Sequence, residues 1–140
     1  METLNLKNEV MMSLWMNSAA LTRNMDGALN SVHGIGYTEY IVLHNLYNAH
    51  EQSMRRIDLA NATCRTASGI TRMLKPMEKI GLVEKADNPR DARVSLIKIS
   101  DAGSRVYQEA TLSLNNAAER SLKHISDKNA GTLIAIFDNI

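Results

Sequence analysis

The sequence predicts a mainly α-helical fold that carries one small β-hairpin. Three observations lead there. Apolar residues recur at spacings of three, four and seven along most of the chain, the period of a helix with one buried face. Between Leu82 and Ile99, "LVEKADNPRDARVSLIKI", that period stops, and two strand-favouring runs flank an Asn-Pro turn. The length, 140 residues, fits a single domain spanning 1–140 with enough chain to bury a core.

The first helix is expected from about Leu4 to His33, where Met11, Leu14, Leu21, Met25, Ala28 and Val32 form its stripe. Gly34 suits the left-handed position that ends it. Thr38 is the expected cap of a second helix, "EYIVLHNLYNAH", with Glu39 in the first turn where the helix dipole favours an anion. Ser53 is the expected cap of a short third helix, about Met54 to Asn61. Thr63 is the expected cap of a fourth, "CRTASGITRMLKPMEKI", which Gly81 ends. Its apolar face is Ile70, Met73, Leu74, Met77 and Ile80, while Arg65, Ser68, Arg72 and Lys75 point elsewhere. Pro76 costs that helix a hydrogen bond and is read as a kink, because the apolar spacing continues past it. After the hairpin, Ser100 caps a fifth helix from Asp101 to about His124. Ser126 caps a last one, in which Leu133, Ile136, Phe137 and Ile140 make one narrow stripe.

The net charge of +1 conceals an uneven distribution. From Arg55 to Arg93 there are nine basic and five acidic residues, hence +4, which leaves −3 for the two ends together. A basic middle suggests a site for a polyanion; a solvated surface is the plainer reading. The single cysteine excludes an intrachain disulfide and fits a reducing cytoplasm. No apolar run approaches the roughly 18 residues of a membrane span, and the first residues lack the pattern of a secretory signal. No nucleophile–base pair, Gly-rich phosphate loop or metal-ligand cluster emerges, so neither an enzyme nor a cofactor or metal is expected.

Two short helices joined by a tight turn, the second basic on its outer face, make a helix-turn-helix, and a hairpin with a charged tip follows at once. That order is a winged helix. From Ile57 to Gly103 the residues "DLA" (58–60), "MEKIGLVEK" (77–85), the D-x-R of Asp91 and Arg93, and "ISDAG" (99–103) resemble the MarR family of bacterial transcriptional regulators. Ile99-Ser100 stands where that family usually has leucine-threonine, which keeps an apolar residue and a capping hydroxyl. The resemblance implies a winged-helix DNA-binding lobe over 38–100. It also implies a helical dimerisation lobe built from 1–33 and 101–140 of two copies. A repressor is implied, with a small aromatic or phenolic effector bound between the lobes and a pseudo-palindromic operator in double-stranded DNA. The alternative is a winged-helix module that binds another protein and not DNA.

As residues of a recognition helix, Arg65, Thr66, Ser68, Arg72 and Lys75 are candidate DNA contacts. Arginine suits guanine and a short hydroxyl suits either base type, although Thr66 could equally cap or pack. Arg55 and Arg56 are candidate phosphate contacts. On the wing, Arg90 and Arg93 are candidates for a narrow minor groove, whose negative potential attracts arginine. Asp91, two residues from Arg93, lies on the same side of an extended chain and can brace it. An exposed ion pair serving solubility alone is the competing account. Trp15 and Tyr37 are candidate effector-pocket residues or plain core. Cys64, expected at a helix N-terminus, is read as a small turn residue before a reactive thiol. His33, His44, His50 and His124 are scattered and read as solvated or core.

Overall fold

The computed structural model describes residues 1–140. Six helices and three short strands follow the expected order, with one strand that the sequence did not reveal. Helix α1 spans Leu6–His33; Asn5 caps it by accepting from the Asn8 N–H, and Gly34 closes it at φ 69°. Helix α2 spans Tyr37–Tyr47. Its cap is Gly36, not Thr38. The Gly36 N–H donates to Glu39 Oε2 (3.1 Å) and the Tyr37 N–H to Asp26 Oδ1 (2.7 Å), so two carboxylates, one of them on α1, satisfy the first free N–H groups.

A single 3-10 turn, His50–Gln52, leads into strand β1, Ser53–Arg55, and helix α3, Arg56–Ala62. Ser53 therefore begins a strand instead of capping a helix. Helix α4 is Ala67–Lys79. Its cap is Thr66, whose Oγ1 accepts from the Gly69 N–H at 3.0 Å, and not Thr63. The turn explains the difference. Cys64 takes a left-handed conformation (φ 52°) and the Arg65 N–H closes on Ala60 O at 2.8 Å, so helical geometry resumes only after Thr66. Helix α4 runs past Pro76 to Lys79. Ile80 falls outside the buried stripe: it follows the helix, where the chain swings into left-handed Gly81 (φ 82°), and it is exposed.

Strand β2 is Val83–Ala86 and β3 is Leu96–Ile99. The sheet is antiparallel in the order β1-β3-β2, with Arg55 opposite Leu96 and Val83 opposite Ile99. Helix α5, Asp101–Ser121, starts directly after the Ser100 cap. Gly103 in its first turn is obligatory, because a Cβ there would land on the Leu82 carbonyl oxygen. Helix α6, Asp127–Phe137, is capped by Ser126 as expected.

One apolar core joins these parts. Leu29 of α1, Leu43 and Leu46 of α2, Leu59 of α3, Ile70, Leu74 and Met77 of α4, and Ile97 and Ile99 of β3 are buried in it, as are Tyr107, Ala110 and Leu114 of α5. Residues 1–20 and all of α6 contribute nothing to that core. No helix is long and apolar enough to cross a membrane.

Candidate nucleic-acid interface

Helix α4 has two opposed faces. At 3.6 residues per turn, Ile70, Leu74 and Met77 fall on one side, and all three are buried. Ser68, Arg72 and Lys75 fall on the other side and are exposed. The guanidinium of Arg72 and the ammonium of Lys75 have no partner within the chain. Arg65 and Thr66, expected within this helix, precede it. Arg65 projects from the turn, exposed and unpaired, while Thr66 spends its hydroxyl on the cap, 3.3 Å from Ser68 Oγ. Cys64 lies in the same turn, exposed, and not at a helix N-terminus.

The start of α3 holds two arginines with different partners. Arg55 Nε and Nη2 donate to both carboxylate oxygens of Asp58, at 2.8 and 3.0 Å. This fork holds the Asp58 carboxyl below its ordinary value, through the hydrogen bonds first and the charge of Arg55 second. Both side chains stay about half exposed, so the outer N–H groups of Arg55 remain open to an anion. Arg56 reaches across to the wing, where Nη1 donates to Ser95 Oγ at 3.2 Å. Arg56 is thus an expected phosphate candidate with a partner, Ser95, that carries no signal in the sequence.

The wing tip is built around Asp91. Its Oδ1 accepts the Arg93 backbone N–H at 3.0 Å and the Arg93 Nε–H at 3.2 Å, while its backbone carbonyl accepts the Val94 N–H at 3.1 Å. The carboxylate thus grips the arginine at both backbone and guanidinium, and these bonds keep the Asp91 carboxyl below its ordinary value. The sign follows. A carboxyl whose pKa is depressed in the folded state gives its contribution above the usual carboxylate range and loses it as pH falls through the lowered value. The brace is therefore complete throughout the neutral range. Arg93 is nevertheless almost fully exposed, and Arg90 is exposed with no partner for its guanidinium. The bracing expected from D-x-R is present.

The two expected pocket residues are not brought together. Tyr37 stacks on Tyr40 (centroids 6.2 Å apart) at the start of α2, beside Asp26. Trp15 lies on α1 eleven residues before Asp26, about 16 Å along the axis at 1.5 Å per residue. There it is exposed in a shallow apolar groove with Met11, Met12 and Met16. What the sequence did not reveal is a seam between α2 and α5. Tyr40 bonds Thr111 (2.8 Å), His44 Nδ1 bonds the Tyr107 hydroxyl (2.8 Å), and Gln108 donates to the Tyr47 hydroxyl (2.9 Å). Burial pushes the Tyr40 phenol above its ordinary value. His33 bonds Ser113 of α5 at 2.7 Å, while His50 and His124 are exposed.

A helix, a tight turn, a second helix with one buried and one cationic face, and a hairpin packed into a sheet with a strand from before the first of them: these define a winged helix-turn-helix protein. Residues 35–95 match the model of the MarR family. The chain is 29% identical over 80 residues to the HTH-type transcriptional regulator PrsX of Escherichia coli, covering 57% of this chain and 48% of that one. It is 26% identical over 110 residues to the HTH-type transcriptional regulator YwaE of Bacillus subtilis, covering 77% and 63%. The chain thus spans from about half to under two thirds of these curated relatives. Among solved structures, its fold is similar to that of Sco3205, a MarR family transcriptional regulator from Streptomyces coelicolor crystallised in complex with DNA. The TM-score there is 0.85 at 20% identity, over 99% of this chain and 88% of that one. The transcriptional regulator BldR from Sulfolobus solfataricus gives 0.85 at 22% identity over the whole of both chains.

Proposed function

We propose that this protein is a sequence-specific DNA-binding transcriptional regulator, a repressor that works as a homodimer and whose operator affinity changes when a small aromatic or phenolic ligand binds. The observation that carries the reading is the pairing of two cationic surfaces in one lobe. The Ser68–Arg72–Lys75 face of α4 is exposed, and Arg93 on the wing is exposed yet held by Asp91. A recognition helix enters the major groove, and a wing beside it reaches the adjacent minor groove, where a positioned arginine gains most from the negative potential. The DNA-bound state of Sco3205, whose fold this chain shares, supports the same reading, as do the names of PrsX and YwaE.

The homodimer rests on apolar surface that one chain leaves uncovered. Val10, Met11, Trp15 and Met16 on α1, and Ile134, Ile136, Phe137 and Ile140 at the C-terminal end, are all exposed. Apolar surface gathered in this way marks an interaction site. In this reading 1–33 and 101–140 form the dimerisation lobe and 38–100 the DNA-binding lobe. Two copies then present two wings, and the operator is a pseudo-palindrome with half-sites about one helical turn apart. The effector site in this reading lies between the lobes, with Tyr37 as a candidate wall; Trp15, in its separate groove on α1, does not share it within one chain.

A gel shift with the DNA upstream of its own gene tests the function. Binding that weakens steeply as salt rises is the expected result, since phosphate contacts release counterions. No binding even at low salt would instead favour the protein-interaction module.

A further inference from the structure

The wing tip contains one structural unit twice. Asn88-Pro89-Arg90 and Asp91-Ala92-Arg93 are consecutive, and each begins with an Asx residue and ends with arginine. In each, the Asx Oδ1 accepts the backbone N–H of the arginine two residues on, at 3.0 Å in both cases. Such a turn fixes where the arginine leaves the backbone. Pro89 restricts the first unit further by locking its own φ. Besides Pro89 in place of Ala92, the units differ at the Asx side chain. Asp91 is a carboxylate and also takes the Arg93 Nε–H at 3.2 Å, with Nη2 at 3.5 Å from its other oxygen. Asn88 is a neutral amide whose oxygen takes only the Arg90 backbone N–H, and the Arg90 guanidinium is left free.

We infer that Asn88 is a positioning residue of the DNA-binding wing, and that Asn88 and Asp91 divide the labour of its two arginines. Both arginines leave the backbone from Asx turns of the same spacing and hydrogen bond. Arg93 is then held at one angle, as reading the width of a groove requires. Arg90 keeps the rotamer freedom to find whichever phosphate the local backbone offers, and its full charge stays available for it. An aspartate at both positions would give a wing with two rigid arginines and one more repelling charge. The inference rests on the DNA-binding reading above and adds a role for Asn88 and separate roles for the two arginines.

The test uses the full chain and a duplex selected by it from a random-sequence pool, with three variants, two at exposed arginines and one at half-buried Asn88. Arg93→Ala should lower the preference for A·T over G·C at the flanks of the selected site by at least about fivefold, whereas Arg90→Ala should leave it within about twofold. Arg90→Ala should instead reduce the slope of log affinity against log salt by about one phosphate contact. Asn88→Asp should reduce that slope in the same way, because the new carboxylate captures Arg90. Arginine Nε relaxation in the free protein supplies a readout independent of DNA. Arg93 should be restricted and Arg90 mobile, and Arg90 should become restricted in Asn88→Asp. Equal loss of A·T preference in Arg90→Ala and Arg93→Ala would overturn the division of labour. An Arg90 as mobile in Asn88→Asp as in the wild type would overturn the role of Asn88. If the wild type selects no duplex, the DNA-binding reading fails first and this inference with it.

Discussion

The winged-helix lobe and the two chain ends use apolar residues in opposite ways. From α2 to β3, the large apolar side chains mostly turn inward: Leu43, Leu46, Leu59, Ile70, Leu74, Met77 and Ile97 are each almost completely buried. The N-terminal part of α1 and all of α6 are also rich in leucine, isoleucine and methionine, yet the whole of 1–20 and nearly all of 126–140 lie open. The difference teaches that the lobe is finished by its own chain and the ends are not. Where a chain finishes a region, its surface is free to be polar and to carry charge for a ligand. Where it does not, the surface remains apolar, and in the proposed dimer a second copy covers it.

The comparison can be broken in several places. Removing residues 126–140 has the largest expected effect, conversion of the dimer to a monomer with loss of operator binding, while the lobe keeps its helical signal. Sedimentation and circular dichroism read these two outcomes, and a truncated protein that still sediments at twice the chain mass would refute the account of the ends. Next comes the lobe itself. Leu59→Ala should cost about 2–5 kcal/mol in denaturant unfolding, the range for emptying a fully buried leucine site. Ile136→Ala, at an exposed site, should instead make the melting temperature more dependent on protein concentration.

On the charged surface the effects are smaller. Arg93→Ala should weaken operator binding at least about tenfold, or roughly 1.4 kcal/mol, with folding and dimerisation intact. Thr66→Ala should cost about 1 kcal/mol of stability by removing the α4 cap. Base contacts would survive this change if the hydroxyl acts only on the helix, so unchanged sequence preference is the result that separates capping from reading. The smallest effect belongs to Asp91→Ala, which should lose part of what Arg93→Ala loses. Tighter binding in that variant would mean that charge repulsion, not bracing, governs the wing.

How much of this was legible in the sequence depended on the range of the interaction. The caps at Ser100 and Ser126 and the stop at Gly34 depend on neighbours within a turn, and reading the sequence found them. So did the brace, because Asp91 and Arg93 are two residues apart. The cap of α4 was misassigned because Thr63 and Thr66 are both hydroxyl residues before an apolar stripe, and the left-handed Cys64 that decides between them has no signature in a non-glycine residue. Strand β1 was missed because three residues cannot show an alternation, and its partner, Leu96–Lys98, is some forty positions away. The α2–α5 seam was invisible for the same reason: Tyr40 and Thr111 are 71 positions apart. Asn88 was overlooked although its spacing to Arg90 repeats that of Asp91 to Arg93.

The join between the wing and α5 has a mechanical consequence. Strand β3 ends at Ile99 and α5 begins at Asp101, with Ser100 between them. The Ser100 hydroxyl donates to a backbone carbonyl of the Gly81–Leu82 turn and accepts from Gly103. No slack separates the wing from a rod of 21 residues, about 32 Å long at 1.5 Å per residue. In the proposed dimer that rod is a lever with its far end in the dimerisation lobe. A tilt of about 5° there would carry the wing about 3 Å along the duplex, close to the rise of one base pair of about 3.4 Å. An effector of the kind proposed would therefore have no need to unfold or open anything. A small angular change at the fulcrum is enough to put both wings out of step with their grooves.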